Sequence, residues 1–267
     1  MAKIIAIAAG ACLATTLLAV GFAACASPWA TRAFSTAFAS YDVSPYLPSD
    51  LVDLAVATRD YTVEDCGRAS GRTEVARERL SQLTVEAAQR ASAPDSPVQN
   101  RWNAAALSVL QGNWDTPNLQ AYALADVSDR YALSSDALEH LDDCYTLIEG
   151  VIPWLMGIAI AAVALLIALV GMGRRKLAGA VLFRAPIVLA AFMAMCGIWA
   201  AVDFNWFFGV FHAVLFPQGN WTFPADSLLI CMLPLNFWVS MGALWLAVTV
   251  LACIIAMLLG IRLIRCD

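Results

Sequence analysis

Four long apolar runs constrain this chain more than any other feature. They cover residues 4–26, 151–172, 177–202 and 228–259. Crossing the hydrocarbon of a bilayer takes about 20 residues as a helix. The first run carries no charged residue, and the third carries only Arg184, near its start. Backbone in lipid must satisfy its own hydrogen bonds, so each run is expected as a helix. The fourth is long enough to tilt or to begin above the hydrocarbon. Composition agrees: 61% of residues are hydrophobic and 14% charged, against roughly a quarter charged in soluble domains. The expected fold class is an all-α integral membrane protein. Four transmembrane helices are expected, with a mainly helical extracytoplasmic domain, residues 27–149, between the first and second.

Basic residues set the expected orientation. Gly173-Arg174-Arg175-Lys176 joins the second and third runs, Lys3 precedes the first, and Arg262 and Arg265 follow the fourth. Both termini and the short connection are therefore expected in the cytoplasm, with residues 27–149 and 203–227 outside. Residues 26–149 hold 18 acidic side chains against 9 arginines, which opposes a nucleic-acid partner. Phe22-Ala23-Ala24-Cys25 weakly resembles a lipobox, with phenylalanine where leucine is usual. The run is longer than a signal core, so an uncleaved anchor is the expectation.

Of eight cysteines, Cys12, Cys25, Cys196, Cys231 and Cys253 fall in or beside apolar runs, and Cys266 is expected in the cytoplasm. Cys66 and Cys144 are the only pair in the outer segment, a candidate disulfide in an oxidising compartment. No CxxC or histidine-rich pattern suggests a metal.

The outer segment reads as helices. Ser49 is a candidate N-cap for residues 50–61, residues 73–91 form an amphipathic stretch, and Ala93-Pro94-Asp95-Ser96-Pro97 breaks it. A short helix is expected within 101–111, and Asp136 with Glu139 resembles a capping box ahead of the second run.

Both histidines lie beside expected outer ends of the apolar runs: His140 before the second, His212 between the third and fourth. Histidine alone titrates near neutral pH without perturbation. On a helix, His140, Asp143, Cys144 and Leu147 share a face, which lets Asp143 approach the imidazole. A solvated helix end is the plainer account of that pair. In residues 203–227 the aromatic rings, Trp206 and Trp221 among them, suit a membrane interface. His212, Asn220 and Asp226 are interleaved with these rings, and polar groups at membrane depth mark a functional site by default. Asn220-Trp221-Thr222 also matches the short glycosylation sequon.

Two blocks in order carry a family resemblance. One is His140-x-x-Asp143 after Leu138-Glu139. The other runs Phe211-His212, Phe216, Asn220-Trp221-Thr222-Phe223, Asp226, Leu229-Ile230, Pro234 and Phe237. In these blocks, and in its order of one span, a domain and three spans, the chain resembles the lipoprotein intramolecular transacylase family of Gram-positive integral membrane proteins. It departs from the family where Cys144 stands for an aliphatic residue and where Leu235-Asn236 stands for an acidic one.

The resemblance implies transfer of an acyl chain within a diacylated lipoprotein. The chain moves from the glyceryl sn-2 oxygen to the amine of the lipidated cysteine, giving the lyso form, without a cofactor. Holding both reacting groups of one molecule together removes much of the entropic barrier. A base and an acid of near-neutral pKa complete the chemistry. His140 and His212 are the candidates, with Asp143 orienting His140. Asn220 or the Trp221 indole would stabilise an oxyanion, and Asp226 would orient His212 or attract the ammonium. Two other readings stay open on the residues: an enzyme acting on another membrane lipid, and a non-catalytic envelope protein whose acidic outer domain binds a partner. No Gly-x-Ser-x-Gly elbow points to a serine hydrolase.

Overall fold

The structure is a computed structural model that describes residues 1–265; Cys266 lies outside the described residues. Among those residues the chain is all-helical, without strands. It divides into two compact units: residues 1–25, 149–215 and the described residues from 242 onward form one, residues 26–148 and 216–241 the other.

The first unit holds α1 (Ala2–Cys25), the later part of α7 (Ser135–Gly171), α8 (Arg175–Val202), α9 (Phe204–Leu215) and the later part of α11 (Leu235–Arg265). The helices α1, α7, α8 and α11 are each long and apolar enough to cross a membrane. On α1 the buried residues are Ala6, Ala9, Leu13, Leu17 and Gly21, one stripe at three- and four-residue spacing. Its partner stripe on α8 is Ala178, Val181, Ala185, Leu189 and Met193. Lipid tails are as apolar as the side chains, so packing of small residues, not flight from water, drives such contacts.

Where α8 meets α11, the backbones come together. A Cβ added to Gly179 would lie 2.8 Å from the Gly260 carbonyl oxygen, and one added to Gly260 would lie 2.7 Å from that of Gly179. Gly21 approaches Trp245 and Thr249 of α11 as closely, and the Trp245 indole donates to the Leu18 carbonyl at 3.0 Å. Outward positions such as Ile160, Ile167, Val188, Ile198 and Leu258 stay exposed, as a lipid-facing surface requires. Between α7 and α8 the chain turns at Gly173, φ +72°, where Arg174 N–H bonds the Leu169 carbonyl and Gly173 N–H that of Val170. This is a Schellman motif, and its left-handed residue favours glycine.

The second unit begins with α2 (Pro28–Phe38), α3 (Pro48–Val63), α4 (Thr73–Ala91), α5 (Ala104–Gln111) and α6 (Pro117–Val127). The start of α7, the short α10 (Leu228–Met232) and the start of α11 complete it. Prolines open α2, α3 and α6, where a missing N–H costs no helical bond. The expected Ser49 cap therefore gives way to a helix entered at Pro48, with Leu47 as its N-cap. The expected capping box at Asp136 is likewise displaced, because the Ser134 hydroxyl accepts from Ala137 N–H. Asn103 and Thr116 cap α5 and α6 by accepting from Ala106 and Leu119.

Three ion pairs and an aromatic cluster fix these helices. Asp50 on α3 pairs with Arg90 on α4 at 3.0 Å. Asp142 on α7 accepts from Tyr61 at 2.6 Å, pairs with Arg68 at 2.9 Å and also meets Arg77. The Arg68 guanidinium is sandwiched between Tyr61 and Tyr145, 3.8 and 4.3 Å from the ring centres. Trp102 stacks on Tyr131 and meets Tyr46 edge-on, and the Trp102 indole donates to the Pro45 carbonyl.

The apolar run 228–259 is two helices. Ser227 caps α10 by accepting from Ile230, and Pro234, which lacks an N–H and disfavours a helical residue before it, separates α10 from α11. The α10 end is tied to α2 and the chain beyond it: Ser35 donates to the Met232 carbonyl at 3.3 Å, and Ser40 N–H to that of Cys231 at 2.9 Å.

Candidate functional site

Successive carboxylates on α7 face different partners. Asp142 is held by the arginines described above, whereas Asp143 faces the segment after Phe216. Phe216 and Gly219 close a turn, Gly219 N–H bonding the Phe216 carbonyl at 3.2 Å with φ +84° at the glycine. Any side chain there would be strained. The turn sets two amides on either side of Gly219, and both reach one oxygen. Gln218 Nε2 donates to Asp143 Oδ2 at 2.5 Å and Asn220 Nδ2 donates to the same atom at 3.2 Å.

His140, one turn before Asp143, is 8% exposed. Phe216 meets its ring edge-on with centroids 4.7 Å apart, and Phe223 lies at 5.9 Å. Cys144 places Sγ 3.7 Å from His140 Nε2. The structure thus brings together His140, Asp143, Cys144, Asn220 and, unforeseen, Gln218. The sequence signal for Gln218 was a turn glycine flanked by two amides.

Asn220 is held in one sense only. A carboxylate oxygen accepts and cannot donate, so the amide nitrogen must face Asp143 and Oδ1 must point away. Among the described residues that Oδ1 is buried and without a hydrogen-bond partner, an arrangement that typically costs roughly 1–3 kcal/mol.

Asp226 lies elsewhere in this unit. Its carboxylate is 3.8 Å from Arg130 Nε, beside the bond from Leu228 N–H to the Asp129 carbonyl. In its own unit this carboxylate pairs with Arg130. The Trp221 side chain follows Asn220 and is half-buried.

Cys66 and Cys144 are free thiols, not a disulfide. Cys66 donates to the Asp60 carbonyl at 3.4 Å at the end of α3, whereas Cys144 sits against His140. Burial raises the Cys66 pKa, which suits a protonated donor. Among the described residues no three His, Cys, Asp or Glu side chains gather to hold a metal.

His212 belongs to the other unit, on α9. The connection 203–227 opens with a helix, which Asp203 caps by accepting from Trp206 N–H at 2.9 Å. Phe204 stacks on Phe208 one turn later. His212 is 9% exposed, its ring 3.9 Å from that of Phe208. Its Nδ1 lies 2.9 Å from the Phe208 carbonyl. A carbonyl only accepts, so Nδ1 carries the hydrogen and the lone pair of the neutral imidazole falls on Nε2. Burial lowers its pKa, and the bond to Phe208 partly opposes this.

Fold and site together define an all-helical integral membrane protein, with a buried histidine beside an amide-clasped carboxylate in one unit and a second buried histidine in the other. Residues 99–238 match the model of the lipoprotein intramolecular transacylase family, Lit. That stretch is more than half of the chain and includes both histidines, and the chain belongs to this family. The fold is similar to the in meso structure of the membrane-integral lipoprotein intramolecular transacylase Lit from Bacillus cereus. The match has a TM-score of 0.61 and 14% identity, covering 99% of this chain and 96% of that one. No curated protein matches the chain.

Proposed function

We propose that this protein moves an acyl chain within one diacylated lipoprotein, from the glyceryl sn-2 oxygen to the amine of the lipidated N-terminal cysteine. The ammonium first loses a proton to a histidine. The nitrogen then attacks the ester carbonyl carbon, forming the N–C bond as the C–O bond to glycerol breaks. The second proton lost from nitrogen ends on the glyceryl oxygen. The products are an amide and an alcohol in one molecule; relative to the neutral amine no atom is gained or lost, and the proton first taken from the ammonium leaves the histidine to water.

His140 and His212 are assigned to these proton transfers. The Nε2 lone pair of His212 suits it to the base role. Asp143 supports His140 through the loop it clasps, and the Trp221 indole N–H is the candidate donor to the oxyanion. The apolar helices receive the acyl chains from the bilayer. Basic flanks at Lys3, 174–176, Arg262 and Arg265 favour cytoplasmic termini and a site on the outer face of a bacterial cytoplasmic membrane. The observation that carries the proposal is the family match over both histidine blocks, together with the burial of both imidazoles.

The test is expression in a bacterial host lacking other N-acylating enzymes, with a reporter lipoprotein read by tandem mass spectrometry. The protein should yield the N-acylated, S-monoacylglyceryl form, and His140→Ala or His212→Ala should lower its yield at least about a hundredfold. Unchanged product in either variant overturns the role of that histidine.

A further inference from the structure

The buried oxygen of Asn220 gives the site a chemical preference that acid–base chemistry alone does not. Asp143 Oδ2 receives the amides of Gln218 and Asn220, which turns Asn220 Oδ1 away from the carboxylate. That oxygen is buried, and among the described residues nothing donates to it. Such acceptors are rare in folded proteins, and each asks for an explanation.

An oxyanion hole needs donors aimed at developing negative charge. Here a side-chain acceptor and a carboxylate lie together, the reverse polarity. Their complement is a cationic N–H donor, which binds charged and neutral oxygens through charge-assisted hydrogen bonds. A phosphate would meet the Asp143 charge as a like charge, and an ester has no N–H or O–H to offer. His140 lies one helical turn before Asp143, on the face that also carries Cys144.

We propose that Asn220 and Asp143 form a cradle for the primary amine of the substrate, with Asn220 Oδ1 as its buried acceptor. This deepens the transfer proposed above and rests on it. The cradle holds the nucleophile as an ammonium and keeps its nitrogen placed once a proton has left. After acylation the nitrogen is an uncharged amide with a single N–H, so the cradle also favours release of product.

The test uses the full chain in detergent micelles and three S-diacylglyceryl peptides that differ only at the N-terminus. One is N,N-dimethylated, with a charged N–H that cannot form a stable amide. The second is N-acetylated, and the third is des-amino, with hydrogen in place of nitrogen. Affinities are read by calorimetric titration. The wild type should bind the dimethyl peptide at least about tenfold more tightly than the other two. Asn220→Ala should bring that ratio towards one without changing affinity for the des-amino peptide.

A wild-type ratio near one overturns the cradle, as does a folded Asn220→Ala that keeps the wild-type ratio. Should Asn220→Ala fail to fold, Asp143→Asn decides, because it retains an acceptor oxygen for the loop but removes the charge. A lowered ratio supports the cradle and an unchanged one overturns it. Amine preference in a protein that makes no lyso form removes the transfer and leaves the cradle. Transfer without amine preference removes the cradle alone.

Discussion

His212 sits among aromatic rings with Nδ1–H directed at a backbone carbonyl, and this bears on how activity should vary with pH. Burial disfavours its charged form and lowers its pKa below the ordinary 6.5. A lowered pKa keeps the imidazole neutral at pH values where a free histidine is already half protonated. The stability linked to this group is therefore complete above the unfolded value and is lost as pH falls through the folded one. If His212 is the base, turnover should persist below about pH 6.5 and fall only in more acid solution. Initial rates on a lipopeptide in micelles, taken from about pH 5 to 8, check this. An acid limb centred at or above the free-histidine value would contradict it.

At this scale the sequence singled out residues more readily than the residues they meet. The three-residue spacing lets Asp143 approach His140, and its carboxylate takes two amides from a segment more than seventy residues away. Asp226 drew attention by its place in the motif, yet its pairing is with Arg130. Helical periodicity reports neighbours on one helix and is silent on contacts made across the chain.

Elements were legible where hydrophobic length or proline punctuation decided them. The long apolar runs had to be helices, and the break at Pro94–Pro97 ends α4 as expected. The helix α9 was missed because its aromatic residues matched an interfacial loop equally well, and its one cap, Asp203, is a single residue. Pro234 was read as part of a motif, but it also divides α10 from α11. Glycine spacing gave no warning that Gly179 and Gly260 face each other. That contact makes a prediction about packing. Gly260→Leu must push α8 and α11 apart, and the expected loss is about 1–3 kcal/mol, seen as a lower midpoint in thermal unfolding of the micelle-bound protein. Gly157, with nothing within 4 Å of an added Cβ, provides the contrast. Gly157→Ala should leave the midpoint unchanged or raise it, since alanine is the better helix former by roughly 0.5–1 kcal/mol. Equal loss in both variants would contradict close packing at Gly260.

Over the whole molecule, the chain joins a lipid-facing set of helices to a helical unit rich in ion pairs, with one histidine in each. This suits a substrate whose acyl chains belong in a bilayer while its reacting amine and ester lie in its polar head. The central claim is that donor oxygen and acceptor nitrogen belong to the same substrate molecule. Two diacylated lipopeptides, one with a heavy peptide and heavy acyl chains and the other unlabelled, should be mixed with the purified protein and the products fragmented by mass spectrometry. The account predicts N-acyl products of unchanged total mass in which heavy acyl chains stay on heavy peptides and light chains on light ones. Heavy acyl chains on light peptides would show transfer between molecules and contradict it.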